Sequence, residues 1–271
     1  MLHGNSSTHV SSLNKRQALT LMELIVVLVI LVALAGIVVP LLPNMIGRTH
    51  TASAATSITE ANRIIQTYEQ LYQSYPNDLD NLAGTGGPVD YLPAVPAQFT
   101  VAALKDYEAA ALVNSGITRV WGMYDTKVNL LAAGGTPTFN PYSSTTAQAV
   151  ATGLNVAYLT ETAVESLSGI VRDDPALTGD VYVVFGFGKR TTAIGKVVSD
   201  APLHFGENAA SNANSVYCRF GIVFRVARGN GTATPTKLDR AVFVGVVDFG
   251  GDGISGSDAH LGEYYKTTGN N

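Results

Sequence analysis

From Leu24 to Leu42 the chain runs for 19 residues without a charged or hydroxyl side chain, interrupted only by Gly36 and Pro40. As a helix this run rises about 28 Å, close to the hydrocarbon thickness of a bilayer. It constrains the fold more than any other stretch, because such a helix must be covered by lipid or by other apolar helices. Two residues mark it off from a plain anchor. Glu23 places a carboxylate at its mouth, and Pro40 removes a backbone donor within its last turn, where a kink is expected.

The segment ahead of the run is polar and ends in Lys15-Arg16, which by the positive-inside rule keeps the N-terminus cytoplasmic and sends the C-terminal bulk outward. No small-x-small cleavage site follows the run at Val38-Val39-Pro40-Leu41-Leu42-Pro43, so the helix is expected to be retained. The expected location is the inner (cytoplasmic) membrane, crossed once, with a periplasmic or extracellular head.

Ala18-Leu19-Thr20-Leu21-Met22-Glu23-Leu24, preceded by Lys15-Arg16 and followed by the Val/Ile/Leu-rich helix with Pro40, resembles the class III signal of type IV pilins and type II secretion pseudopilins. The resemblance implies cleavage by a prepilin peptidase between Ala18 and Leu19, N-methylation of Leu19, and assembly roles for Thr20, Glu23 and Pro40. Ala18 departs from the glycine usual before the cut. The implied partners are prepilin peptidase, like and unlike pilin-type subunits, an inner-membrane assembly platform and the lipid bilayer. The division implied is a leader over 1–18, a transmembrane and stem helix over 19–75, and an extracytoplasmic α+β head over 76–271.

The motif also makes physical sense. A carboxylate in hydrocarbon needs a cation, and the amine of a freed Leu19 on a neighbouring subunit would supply one. A misregistered subunit would then bury an uncompensated charge, so the pair would set axial register. The bland alternative is an interfacial glutamate that stays solvated beside the helix N-terminus.

Beyond the run, Ile58, Ala61, Ile65, Tyr68, Tyr72 and Tyr75 recur in steps of three and four, which predicts a helix burying one stripe, with Arg63 and Glu69 on the wet face. Tyr75-Pro76 should end it. Ser74 to Leu82 resembles the pseudopilin segment in which a Tyr-Pro turn leads into a short helix with paired leucines. Val101 to Val113 reads as a helix stopped at Asn114-Ser115-Gly116, and Ile117 to Tyr124 as a short strand. Leu130 to Thr152, rich in Gly, Pro and hydroxyl residues, reads as an irregular insertion. Thr162-Ala163-Val164-Glu165 fits a capping box.

Val181–Phe187, Val216–Ala227 and Ala241–Phe249 are β-branched and aromatic runs bounded by turn residues, hence strands. The fold class expected is α+β: a long N-terminal hydrophobic stem helix packed on an antiparallel β-sheet head, in the type IV pilin-like manner. Cys218, the single cysteine, reads as a buried thiol, so the fold rests on packing and not on disulfides.

A net charge of -4 without a basic cluster argues against nucleic acid as a partner. The five histidines lack metal-ligand spacing, no Gly-x-Ser-x-Gly or phosphate loop follows a strand, and Gly186-Phe187-Gly188 reads as a turn. No enzymatic activity is expected. The exception in ligand-binding potential is Asp248-Phe249-Gly250-Gly251-Asp252-Gly253-Ile254-Ser255-Gly256-Ser257-Asp258, with Glu263 downstream. Its oxygen-rich, glycine-rich character suits Ca²⁺ at Asp248, Asp252 and Asp258, and it resembles a dockerin or EF-hand loop. An acidic turn bonding its own backbone fits the same residues.

Two functions follow as expectations. The first is a structural subunit of a type IV pilus-like filament or type II secretion pseudopilus. The alternative is a single-pass anchored surface binding or adhesion domain, with Ca²⁺ dependence as an option.

Overall fold

The computed structural model describes residues 21–39, 42–84, 87–89, 92, 99–123, 142–143, 146–161, 163–164, 178–203, 217–232 and 234–249. The chain divides into two units, Met1–Met45 and Ile46–Asn271.

The first unit carries α1 (Leu21–Val38), and no residue of it is buried. Val39 closes it in a tighter turn, and Pro40 and Leu41 lie outside the described residues. Helix α2 (Leu42–Tyr72) follows.

The second unit is a mixed α+β fold. Along α2 the side chains of Ile58, Ala61, Ile64, Ile65 and Tyr68 are buried at helical spacing, while Glu60 and Arg63 pair on the exposed side at 3.1 Å. Polar residues within the helix return to its own carbonyls: Thr56 to Ala52 and Thr59 to Ala55, each at 2.9 Å. The helix stops at Tyr72, three residues before the expected Tyr75. Gln73 takes a left-handed φ of 53°, and its N–H donates to the Glu69 carbonyl at 2.7 Å, the arrangement of a left-handed helix cap. Ending early lets Tyr75 turn inward, where its N–H donates to the Ser115 carbonyl at 2.8 Å and its ring lies 5.1 Å from that of Phe224. Tyr72 consequently leaves the expected buried stripe and is 45% exposed.

After Pro76 the chain enters strand β1 (Leu79–Asn81) and not the short helix implied by the pseudopilin resemblance. Asn77 anchors this exit. Its Oδ1 accepts from the Thr118 and Arg119 amides at 3.0 and 2.8 Å, its N–H donates to Thr192 Oγ1, and Asp78 beside it pairs with Arg119 at 2.8 Å.

Strand β2 (Phe99–Ala103) occupies the start of the segment expected to be helical. It pairs residue for residue with β5 (Asn155–Leu159), a strand without a sequence forecast. Helix α3 (Asp106–Asn114) starts only after Lys105, whose N–H donates to the Glu108 carboxylate at 2.9 Å. Asp106 and Glu108 in the first turn complement its dipole. Pairing with β5 outweighed the helix propensity of the alanines. Strand β3 (Arg119–Gly122) falls where a strand was expected, and β4 (Gln148–Ala149) lies within the stretch read as irregular. Around the proposed capping box, Thr160 accepts from the Ala163 amide through its hydroxyl at 3.3 Å, so the cap lies two residues before Thr162.

Strands β6 (Val181–Gly186), β7 (Phe220–Arg228) and β8 (Thr236–Asp248) are the three read from the sequence, with shifted ends. Among the described residues the eight strands form one sheet. β7 lies between β6 and β8, and the opposite edge of β6 is shared by β5 and β1. All pairings between named strands are antiparallel except β1 with β3, which corrects the purely antiparallel expectation. That one parallel pair places β1 beside a strand that enters from α3.

Alternation along the strands divides the core between two faces. On one face Val183, Phe185, Ile222, Phe224 and Val226 pack with the α2 stripe and with Ala109 and Leu112 of α3. On the other Tyr182, Val184, Val223 and Val247 pack with Leu82, Met123, Tyr217 and Phe249. Cys218 is buried, as expected of it.

Candidate functional site

Two features stand apart from ordinary packing. The first is α1, 18 residues long, about 27 Å as a helix, and exposed over its whole length. It is long and apolar enough to span a membrane. In water each Leu, Ile or Val left uncovered forgoes about 1.5–3 kcal/mol. Glu23 occupies its first turn. Ala18, Leu19, Thr20 and Pro40 lie outside the described residues.

The second feature is a charged cluster on the second face of the sheet. Asp80 is completely buried. It stands opposite Trp121 of β3 and Gly186 of β6, so the side chain of Trp121 shares its face. The Tyr217 hydroxyl donates to Asp80 Oδ2 at 2.7 Å. Both neighbouring glycines make room for this pair. A Cβ on Gly188 would collide with the Asp80 carboxylate, and one on Gly186 with the Tyr217 hydroxyl. The turn closed by the Thr191 amide on the Gly188 carbonyl carries Arg190. Its guanidinium lies 3.8 Å from the Trp121 ring centre and 4.1 Å from that of Tyr142. Arg219, 9% exposed, leads into β7.

Burial raises the Asp80 carboxyl to about 6. The Tyr217 and Tyr142 hydroxyls and the charges of Arg219 and Arg190 favour its ionised form, but desolvation outweighs them. Burial likewise drives both tyrosines far above their ordinary range, with the Asp80 charge adding to it.

The cluster is incompletely satisfied. Among the described residues Asp80 Oδ1, Trp121 Nε1, Arg190 Nη1, Thr191 Oγ1 and Arg219 Nη1 are buried without a hydrogen-bond partner. Each costs about 1–3 kcal/mol if left so, more for the charged groups. Of the other buried acids, Asp78 pairs with Arg119 through Oδ2 while its Oδ1 also lacks a partner, and two are well engaged. Glu108 accepts from Lys105 and Tyr158, and Asp180 accepts from Tyr182, Arg225 and the Gly229 amide.

Sequence reasoning missed this cluster. Its members lie between positions 80 and 219, and the local trace it leaves, the glycine pair Gly186 and Gly188, reads as a turn. Asp248, the first of the proposed Ca²⁺ ligands, is buried at the end of β8. Asp252, Asp258 and Glu263 lie outside the described residues. Among the described residues no three His, Cys, Asp or Glu side chains are grouped to hold a metal.

No family model, curated protein or solved structure matches the chain.

Proposed function

We propose that the chain is a structural subunit of a type IV pilus-like filament or type II secretion pseudopilus, cut by prepilin peptidase before Leu19 and assembled through its N-terminal helix. The observation that carries the reading is α1, whose every side chain is exposed although almost all are apolar. Two environments satisfy such a helix: a bilayer before assembly and a bundle of like helices after it. Moving from one to the other exchanges lipid contacts for helix contacts at little hydrophobic cost. The Leu19 amine of a neighbour pairing with Glu23 would then select one register among many.

N-terminal sequencing of the mature chain tests this reading, with Leu19 as the expected first residue. A mature chain that keeps Met1 to Ala18 would instead indicate an anchored surface domain that does not polymerise. Ca²⁺ at Asp248, Asp252 and Asp258 belongs to the same reading as a stabiliser of the head. Chelation should lower the melting temperature of the parent and leave Asp252→Asn unchanged.

A further inference from the structure

We propose that the cluster around Arg190 and Arg219 is a binding site for a small oxyanion, a carboxylate or a phosphate, held by the two guanidinium groups with Trp121 Nε1 and Thr191 Oγ1 as further donors. This reading is independent of filament assembly.

The balance of unsatisfied groups points to it. Buried donors on Arg190, Arg219, Trp121 and Thr191 lack a partner, against one unsatisfied acceptor, Asp80 Oδ1, and both arginines act electrostatically on Asp80. An apolar or cationic ligand would leave the donors unpaired. Water could accept from some of them but would leave the charge uncompensated. An oxyanion provides several lone pairs and a negative charge, the complement of two guanidinium groups beside Asp80. Arg219 is more than nine-tenths buried, and among the described residues it forms no ion pair.

The donors are also preorganised. The Arg190 guanidinium sits in the corner formed by two aromatic rings, which limits its freedom. Those rings are themselves in edge contact at 5.9 Å. Arg190 and Trp121 are half-buried, whereas Asp80, Thr191 and Tyr217 are buried. The Tyr217 bond and the glycine pair hold the Asp80 carboxylate in place.

Trp121 is the only tryptophan of the chain, so its fluorescence reports on this site alone. Detergent-solubilised full chain is titrated with acetate and with inorganic phosphate against chloride at matched ionic strength. A saturable change with either oxyanion and none with chloride is expected, and the tighter binder distinguishes a planar from a tetrahedral ligand. Arg190→Lys, which keeps the charge but loses the fork, should weaken binding at least tenfold. Asp80→Asn, which removes the competing negative charge, should strengthen it severalfold. Both variants are checked for unchanged circular dichroism. Identical unsaturable changes with all three salts would overturn the proposal. So would an Arg219→Gln variant that is folded, melts higher than the parent and titrates as the parent does, because the guanidinium would then be only a buried charge.

Discussion

The Tyr217 hydroxyl donates to Asp80 across 2.7 Å, with both side chains fully buried, and through this bond the lead-in to β7 is tied to the centre of β1. The pair sits where β1, β3 and β6 meet. Its energetics therefore bear on the whole second face of the sheet.

The Asp80 carboxyl, raised by burial to about 6 from 3.8, makes stability depend on pH in a defined direction. Between about pH 4 and 6 the native state holds a proton that the unfolded chain has released. Stability therefore falls as pH rises through that window, and the loss is complete above it. Two pH units correspond to a penalty on the order of 3 kcal/mol. Asp80→Asn, which still accepts from Tyr217, should remove the fall, matching the parent near pH 4 and exceeding it at pH 8. Urea midpoints across that range measure it. A variant weaker than the parent at pH 8 would mean that the arginines keep Asp80 ionised.

Gly188→Ala should destabilise the head by about 1–3 kcal/mol, because its Cβ meets the Asp80 carboxylate, which cannot move without breaking the Tyr217 bond. The matched control is Gly87→Ala, where a Cβ meets nothing within 4 Å. That change should be neutral or slightly stabilising through the unfolded state. Thermal midpoints of the two variants separate a steric requirement from a general cost of losing glycine.

The contrast between these glycines explains what the sequence could disclose. The α2 stripe was legible because Ile58, Ala61, Ile65 and Tyr68 obey a helical period against one continuous face. Strands β6 and β7 were legible because burial on both faces demands unbroken apolar runs. β2 misled because Thr100, Ala102 and Ala103 are exposed, so its burial does not enforce a clear period of two, and alanine favours helix. The parallel partnership of β1 with β3 and the Asp80 cluster depend on residues distant in sequence. Asp80, Trp121, Arg190 and Arg219 acquire a common meaning only after the sheet brings them together.

Tyr75→Phe tests the inward turn at the end of α2. The register between β7 and β8 shifts at Phe224, and beside that shift the Phe243 amide donates to the Tyr75 hydroxyl at 3.0 Å. Phenylalanine keeps the packing on Phe224 but leaves a backbone donor without its acceptor. A loss of about 1–3 kcal/mol is expected. Amide exchange at Phe243 should accelerate more than at Ile222, which lies away from the shift on the neighbouring strand. Equal acceleration at both would make the effect global and remove the hydroxyl's local role.

Glu23→Gln separates the charge of α1 from its shape. Gln keeps the size and hydrogen-bonding capacity of the side chain, so the proposed insertion of the helix and cleavage before Leu19 should be unaffected. What is lost is the carboxylate that would compensate a neighbour's terminal amine. Burying that amine alone costs several kcal/mol per contact, enough to suppress a filament built from repeated contacts while leaving the monomer folded and in the membrane. The expected result is normal N-terminal sequence, normal membrane fractionation and at least a tenfold drop in sheared or cross-linked filament. Filaments at parental yield would show that α1 assembles through apolar packing alone, and register would then have to come from elsewhere along the helix.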